Sequence, residues 1–286
     1  MVNPILKTNL NYPLLHRGKV RDVYDLEENL LLVSSDRLSA FDVVFNEGIP
    51  RKGEVLTQLS LFWFEKTKHI IKNHLVNNFP KDFPEEMKKR SVIGVKTKPV
   101  KLECIVRGYL TGSGWKSYQK DGTICGIKLP LNLKNGSKLP EPIFTPTTKA
   151  EQGHDQDVTE DKAIEIVGQK TFDFVKRKSI ELYSFAEEYA RSKGLILADT
   201  KFEFGEYNGE IILIDEALTP DSSRYWLKSD YDKGKLLSLD KQFARDYLET
   251  LNWDKKPPAP PLPEEIIEKT SKRYLQAYNF LTGKNL

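Results

Sequence analysis

Along the first hundred residues the apolar positions come in short bursts. Residues 19–25, 30–34 and 43–46 are β-branched or apolar runs cut by polar turns, the pattern of short strands. Residues 54–75 change period: Leu56, Leu59, Trp63, Ile70 and Ile71 can share one helical stripe. Residues 92–95 and 100–109 return to strand-like runs, and the glycine-rich residues 108–122 predict a turn into a short helix. Prolines 130, 140, 142 and 146 predict that residues 129–148 are loop with at most a short strand. A long helical pattern then opens at Thr159, a candidate N-cap followed by Glu160 and Asp161, with Gly168 as a kink or break and Gly194 at the stop. Residues 195–218 predict two strands about Asn208-Gly209, and residues 240–251 a helix with Phe243, Tyr247, Leu248 and Leu251 on one face. The run KKPPAPPLP (255–263) must be extended, and a final amphipathic helix ends at Gly283. Strands first and mixed elements later predict an α+β protein. We expect an N-terminal antiparallel β-sheet lobe over residues 1–110. A C-terminal α/β lobe with C-terminal helices then covers 111–286, and ligands bind in the cleft between them.

The chain has 286 residues, 44 Lys plus Arg against 41 Asp plus Glu, and is 39% hydrophobic and 10% aromatic, which is too apolar for wholesale disorder. A net charge of +3 does not argue for nucleic acid. The longest stretches without a charged residue, 55–64 and 274–283, are ten residues, about half a membrane span. Cys104 and Cys125 form no framework and read as reduced thiols, and no secretory leader is expected, so a cytosolic protein is expected. His69 and His74 are five apart, on different faces of a helix, which argues against a zinc pair.

Six segments could carry chemistry. HRGKVRDVY (16–24) sets a glycine beside Lys19 and Arg21 at a strand start, and SSDRLSAFD (34–42) packs acids, an arginine and hydroxyls after an apolar strand. RGYLTGSGW (107–115) follows an arginine with three glycines and two hydroxyls, a set suited to a phosphate monoester. Taken singly, these three fit a solvated basic hairpin, a capped turn and a flexible glycine turn as well. PTTKAEQGHD (146–155) offers Lys149 and Asp155, and PDSSRYW (220–226) offers Ser222 and Arg224. DTKFEFG (199–205), a turn at Asn208-Gly209, and IILIDE (211–216) are the most informative. A two-residue loop would place Glu203 opposite Ile214 and the carboxylates of Glu203 and Asp215 on opposite faces. An odd loop or a bulge would put Phe202, Phe204, Ile212 and Ile214 on one face and Lys201, Glu203 and Asp215 on the other. The second register sorts polarity more cleanly and is the one predicted. It makes a hard-oxygen site suited to Mg²⁺ with nucleotide phosphates. No serine–histidine triad or thiol nucleophile is evident, so positioning and electrostatics, as in phosphoryl transfer, are the expected means of catalysis.

GKVRDVYD, SDRLSAFD, ECIVRGYLTGSGW, KAEQGHD, LADTKFEFG and LIDEALTPDSSRYW, in this order over residues 14–226, resemble the phosphoribosylaminoimidazole-succinocarboxamide synthase (SAICAR synthetase) family. The tail from Asn252 resembles the longer, fungal-like branch. The resemblance implies a two-lobed fold with a kinase-like nucleotide lobe. It also implies a reaction: ATP, the carboxylated aminoimidazole ribotide (CAIR) and L-aspartate give ADP, phosphate and the succinocarboxamide through an acyl phosphate. It implies that Gly18, Lys19 and Arg21 cover the ATP phosphates, that residues 95–103 with Glu103 pass the adenine, and that Glu203 and Asp215 hold Mg²⁺. Lys201 and Asp199 stand at the reacting centre, and Arg107, Ser113, Ser222 and Arg224 take the CAIR phosphate. Asp36, Arg37, Ser39 and Asp155, with Lys149 nearby, line the CAIR and aspartate region. A monomer free of nucleic acid and membrane is expected.

Two rivals remain at this level. A kinase-like phosphotransferase would use the same nucleotide lobe, though the His-Arg-Asp and Asp-Phe-Gly motifs of protein kinases are absent. An interaction module could present PPAPPLP to an SH3-type groove, whereas a rigid strap to the last helix is the simpler reading.

Overall fold

The computed structural model describes residues 3–76, 78–149 and 156–286. The early apolar bursts form one antiparallel sheet, ordered Leu14–Arg17, Arg21–Leu26, Asn29–Ser34, Ser91–Val95 and Leu75–Val76. Strand alternation decides what each face does. Asp22 and Tyr24 turn into a core with Leu31, Val33 and Ile93, which leaves Arg21 on the other face, toward the rest of the molecule.

The second sheet runs Lys138–Phe144, Leu102–Tyr109, Leu195–Tyr207 and Glu210–Ile214, with Ser223–Leu227 also paired to the long central strand Leu195–Tyr207. The helix Gln169–Ser192 covers its back through Phe172, Val175, Leu182, Tyr183, Ala186 and Ala190, a stripe at i, i+3, i+4 and i+7 spacing. Against them lie Cys104, Val106, Phe202 and Phe204, all fully buried. Thr159 is the N-cap of the preceding helix Glu160–Val167, accepting from the Lys162 N–H, and Gly168 breaks the two helices apart at φ +80°.

Three expectations need correction. The helix expected over 54–75 stops at Thr67, and Ile70 and Ile71 pack from the connecting loop instead. The proline-bearing segment holds a seven-residue strand, Lys138–Phe144; it lies at the sheet edge with a register break, which is where prolines are tolerated. The Asn208-Gly209 hairpin has the two-residue loop: Tyr207 pairs Glu210 and Glu203 pairs Ile214, so Phe204 faces Leu213, not Ile212. The odd register is therefore wrong.

The proline run is a strap. Leu262 is buried with Leu38, Ala40 and Phe45 of the hairpin Arg37–Ala40/Val43–Gly48 and with Ala244 and Leu248, and leads into the C-terminal helix Glu264–Thr282. No helix among the described residues is long and apolar enough to cross a membrane.

Candidate active site

The central strand pairs Asp199 with Arg107 and Lys201 with Ile105. With a period of two, Asp199, Lys201 and Glu203 therefore share the sheet's front face with Glu103, Ile105 and Arg107, opposite the helix-covered core. At one end Lys201 Nζ donates to Glu103 Oε1 (2.5 Å) and Glu203 Oε1 (2.9 Å), while Lys149 bridges the second oxygen of Glu203. Burial works against the Lys201 charge, but Glu203, Glu103 and Asp215 outweigh it and hold the ammonium well above the usual lysine range. Burial likewise opposes ionisation of Glu203, yet Lys201 and Lys149 bring it down to about 2. This end is a locked array of charges, with Lys201 a permanent cation.

Asp215 reaches the array without the predicted bulge. The ladder ends at Ile214, and Asp215 takes φ +66°, so the side-chain alternation of the strand no longer governs it. Arg21 crosses from the first sheet to bond both its carboxylate oxygens, and Glu216 at 3.0 Å.

At the other end Arg107, 2% exposed, donates to Thr145 Oγ1 (3.0 Å), Asp199 Oδ2 (3.0 Å) and Ser113 Oγ (3.1 Å). Arg224 bonds the same Asp199 oxygen. Asp199, expected at the reacting centre, is thus paired with two arginines on the cavity wall. Gly112 makes room for this: it sits at φ +57°, and a Cβ there would lie 2.3 Å from the Arg224 guanidinium.

A cavity of about 240 Å³ takes in the arginine end and, of the other, Lys201, with Arg107, Ser113, Ser222 and Arg224 also on its walls. A larger groove of about 1390 Å³ opens among Val167, Phe174 and Ile211; of the residues expected at the site it takes Lys149 and, from the segment expected to pass the adenine, Lys98, Pro99, Val100 and Lys101. The smaller cavity gathers Lys201 with Arg107, Arg224, Lys241 and Arg245.

Three of its residues escaped the sequence reading: Asp240, Lys241 and Arg245. They precede and open the helix Gln242–Glu249, whose apolar face drew attention first. The only signal was charge within DKQFARD. Burial pushes the Asp240 carboxyl up to about 6 and the Lys241 ammonium down to about 8, and it lowers Arg245 as well, with Arg224 adding repulsion. Asp240 Oδ2 and Arg245 Nε are buried without hydrogen-bond partners. Five cations, Arg107, Lys201, Arg224, Lys241 and Arg245, share this cavity with three carboxylates, Asp199, Asp221 and Asp240, an excess of positive charge that favours an anion.

The remaining expected residues divide. Gly18 closes a tight turn, its N–H donating to Arg21 O (2.7 Å), so that N–H is not offered to phosphates as expected. Lys19 reaches out and pairs with Asp42 at 2.5 Å. Asp36 and Arg37 are corrected from ligand-lining to structural: Asp36 accepts from Ile5 N, Gly53 N and Arg90, and Arg37 donates to Asp22 and to the carbonyls of Gly18 and Lys19, bracing that loop from behind. Ser39 pairs Val44 in its hairpin. Asp155 lies outside the described residues.

A carboxylate pair beside a fixed lysine and an arginine-rich pocket reached by the same lysine are the marks of an enzyme that works by charge positioning. The sequence profile of the SAICAR synthetase family matches residues 14–260. The phosphoribosylaminoimidazole-succinocarboxamide synthase of Thermodesulfovibrio yellowstonii is 55% identical over 292 residues, covering 99% of this chain and 100% of its own. That of Geobacter metallireducens is 54% identical, with 99% of each chain covered. The Saccharomyces cerevisiae SAICAR synthase solved with SAICAR superposes with a TM-score of 0.88 at 42% identity over 99% of both chains. A SAICAR synthetase solved in complex with ADP gives a TM-score of 0.72 at 25% identity, over 95% of this chain and 98% of its own. The chain belongs to the SAICAR synthetase family, the ATP-dependent ligases of purine biosynthesis.

Proposed function

We propose that this chain joins L-aspartate to the carboxylate of CAIR at the cost of ATP, giving SAICAR, ADP and phosphate, as a cytosolic monomer. The observation that carries this reading is one cavity in which Lys201 and the Arg224–Lys241–Arg245 cluster face the same space. The ribotide phosphate is held by Arg224, Lys241, Arg245 and Ser222, with Arg107 and Ser113 behind them. That leaves the CAIR carboxylate directed toward Lys201, between the ribotide and the γ-phosphate of ATP. Lys201 supplies a fixed positive charge, not a base, because its carboxylate neighbours keep it protonated. The CAIR carboxylate oxygen attacks the γ-phosphorus and ADP leaves. The aspartate amine then displaces phosphate from the acyl carbon, losing a proton as the amide forms.

Glu203 and Asp215 fit Mg²⁺. They are two hard carboxylates, no group of three ligating side chains occurs among the described residues, and Mg²⁺ takes one or two carboxylates and completes its shell from phosphates and water. When bound, the ion neutralises charge on the transferring phosphoryl group. Arg21 and Lys149, which otherwise satisfy these carboxylates, are then free to move onto the triphosphate.

ADP release should require both CAIR and L-aspartate, with a product heavier than CAIR by aspartate minus water. Release without aspartate, with a stable phosphorylated product, would favour a kinase. A second expectation concerns pH. Lys241 faces Asp221 and Glu216, Arg245 and Lys52, and the net effect of burial leaves its free-enzyme value at about 8. The protonated form binds the phosphate dianion. The kcat/KM for CAIR should therefore fall with a one-proton slope above about pH 8. Lys241→Met should lower kcat/KM at neutral pH and abolish that limb; an unchanged limb would exclude Lys241 as its source.

A further inference from the structure

The hairpin Arg37–Ala40/Val43–Gly48 turns through Phe41 and Asp42, since Ala40 pairs Val43. Both turn residues have positive φ, +53° and +63°. Two-residue turns of this hand select Asn-Gly or Asp-Gly, and a bulky phenylalanine in the left-handed region is an outlier. Such strain persists only where the surroundings over-determine it, and it gathers at functional sites.

The surroundings here are cationic and come from the C-terminal part of the chain. Lys255 Nζ lies 4.3 Å from the Phe41 ring centroid and the Arg245 guanidinium 5.8 Å from it. Trp253 meets Phe41 edge-on at 6.2 Å and Phe45 at 5.8 Å. Trp253 is itself pinned, its Nε1 donating to Lys256 O at 2.7 Å. Arg245 has no side-chain hydrogen bond and no ion-pair partner among the described residues, its Nε is buried without a partner, and it lines the catalytic cavity beside Arg224. A guanidinium repelled by a neighbouring arginine needs something to keep it in place when no ligand is bound. Asp240 and Asp221 attract it without a hydrogen bond, and the ring of Phe41 lies against it.

We propose that Phe41 is a positioning residue for the ribotide site, its strained turn presenting the ring that aims Arg245 into the cavity, with the strap residues Trp253 and Lys255 holding the ring in place. The proposal rests on the reading that Arg245 takes the CAIR phosphate. It gives the proline strap a task beyond packing: the strap and the turn together preorganise a cation of the substrate pocket.

The test is a kinetic cycle on the full-length chain with CAIR as the varied substrate. Phe41→Leu should raise the KM for CAIR roughly tenfold, the factor a desolvated cation–π contact supplies, with kcat and the KM for ATP within about threefold. Phe41→Tyr, which keeps the ring, should restore the KM. In an Arg245→Ala background, Phe41→Leu should add nothing. If Arg245→Ala leaves the KM for CAIR unchanged, the phosphate reading falls. If Arg245→Ala raises it while Phe41→Leu does not, or the two effects add in full, the positioning role alone is overturned. Melting temperatures are read alongside. Should Phe41→Leu not fold, Trp253→Leu, which removes the support and leaves the turn, is read by the same cycle with the same outcomes.

Discussion

Replacing Asp215 by asparagine is expected to lower kcat by about a thousandfold while leaving the fold in place. The change removes one anionic oxygen donor from a site with two carboxylates, and single electrostatic elements of this kind are worth ~10²–10³ in rate. The backbone has no reason to move, because asparagine accepts the left-handed conformation at this position as readily as aspartate does. Arg21 loses its ion pair with Asp215 but keeps Glu216 at 3.0 Å. The Asp215 side chain is 30% exposed, so the lost pair costs little stability. Turnover across a Mg²⁺ titration, with a thermal melt of the same preparation, separates the outcomes. Near-native turnover with an unchanged Mg²⁺ requirement would remove Asp215 from the metal site.

Lys52→Met should be the most destabilising single change near the site. Lys52 opens the helix Lys52–Thr67 with its side chain wholly buried, and its Nζ donates to Asp221 at 2.6 Å. Tyr274 of the C-terminal helix donates to the other Asp221 oxygen, also at 2.6 Å. Without Lys52 the carboxylate stays buried short of its main counter-charge, and breaking such a pair costs about 3–5 kcal/mol. At roughly 2–4 °C per kcal/mol, melting should fall by roughly 10 °C. Burial opposes ionisation of Asp221, but Lys52 and Lys241 hold it well below the usual carboxylate range. Its contribution is thus fully present above about pH 4 and is lost as pH falls further toward its depressed native value. The gap between the variant and the native protein should accordingly narrow in acid. A melting temperature within 2–3 °C of native at neutral pH, about 1 kcal/mol on the same scale, would show that the pair is solvated.

Much of this protein was legible in one dimension, for reasons of local geometry. Thr159, Gly168, Gly194 and Gly283 mark helix limits because caps and left-handed stops act over a single turn. Asn208-Gly209 marks the hairpin, and Lys201 and Glu203 share a face through strand alternation alone. Where distant segments decided, local pattern misled. The tidier polarity sorting favoured an odd hairpin register, but the strands are buried on both faces, with Ile212 and Leu213 both inside, so polarity carried no register information. The family resemblance placed Asp36 and Arg37 in the substrate region, whereas here they are buried in internal pairs with Arg90 and Asp22.

By itself the sequence determined the α+β class, the turn of the central hairpin and the family motifs. Each rests on short-range periodicity or on a contiguous pattern. Only the tertiary structure decided that Asp199 pairs with two arginines, that Asp240, Lys241 and Arg245 line one cavity with Arg224, and that Trp253 and Lys255 reach Phe41. Those contacts depend on counter-charges and ring faces brought together from distant positions, Phe41 and Trp253 among them. Pairing of that kind is settled by burial and Coulomb energy in the folded chain, and no local pattern encodes it.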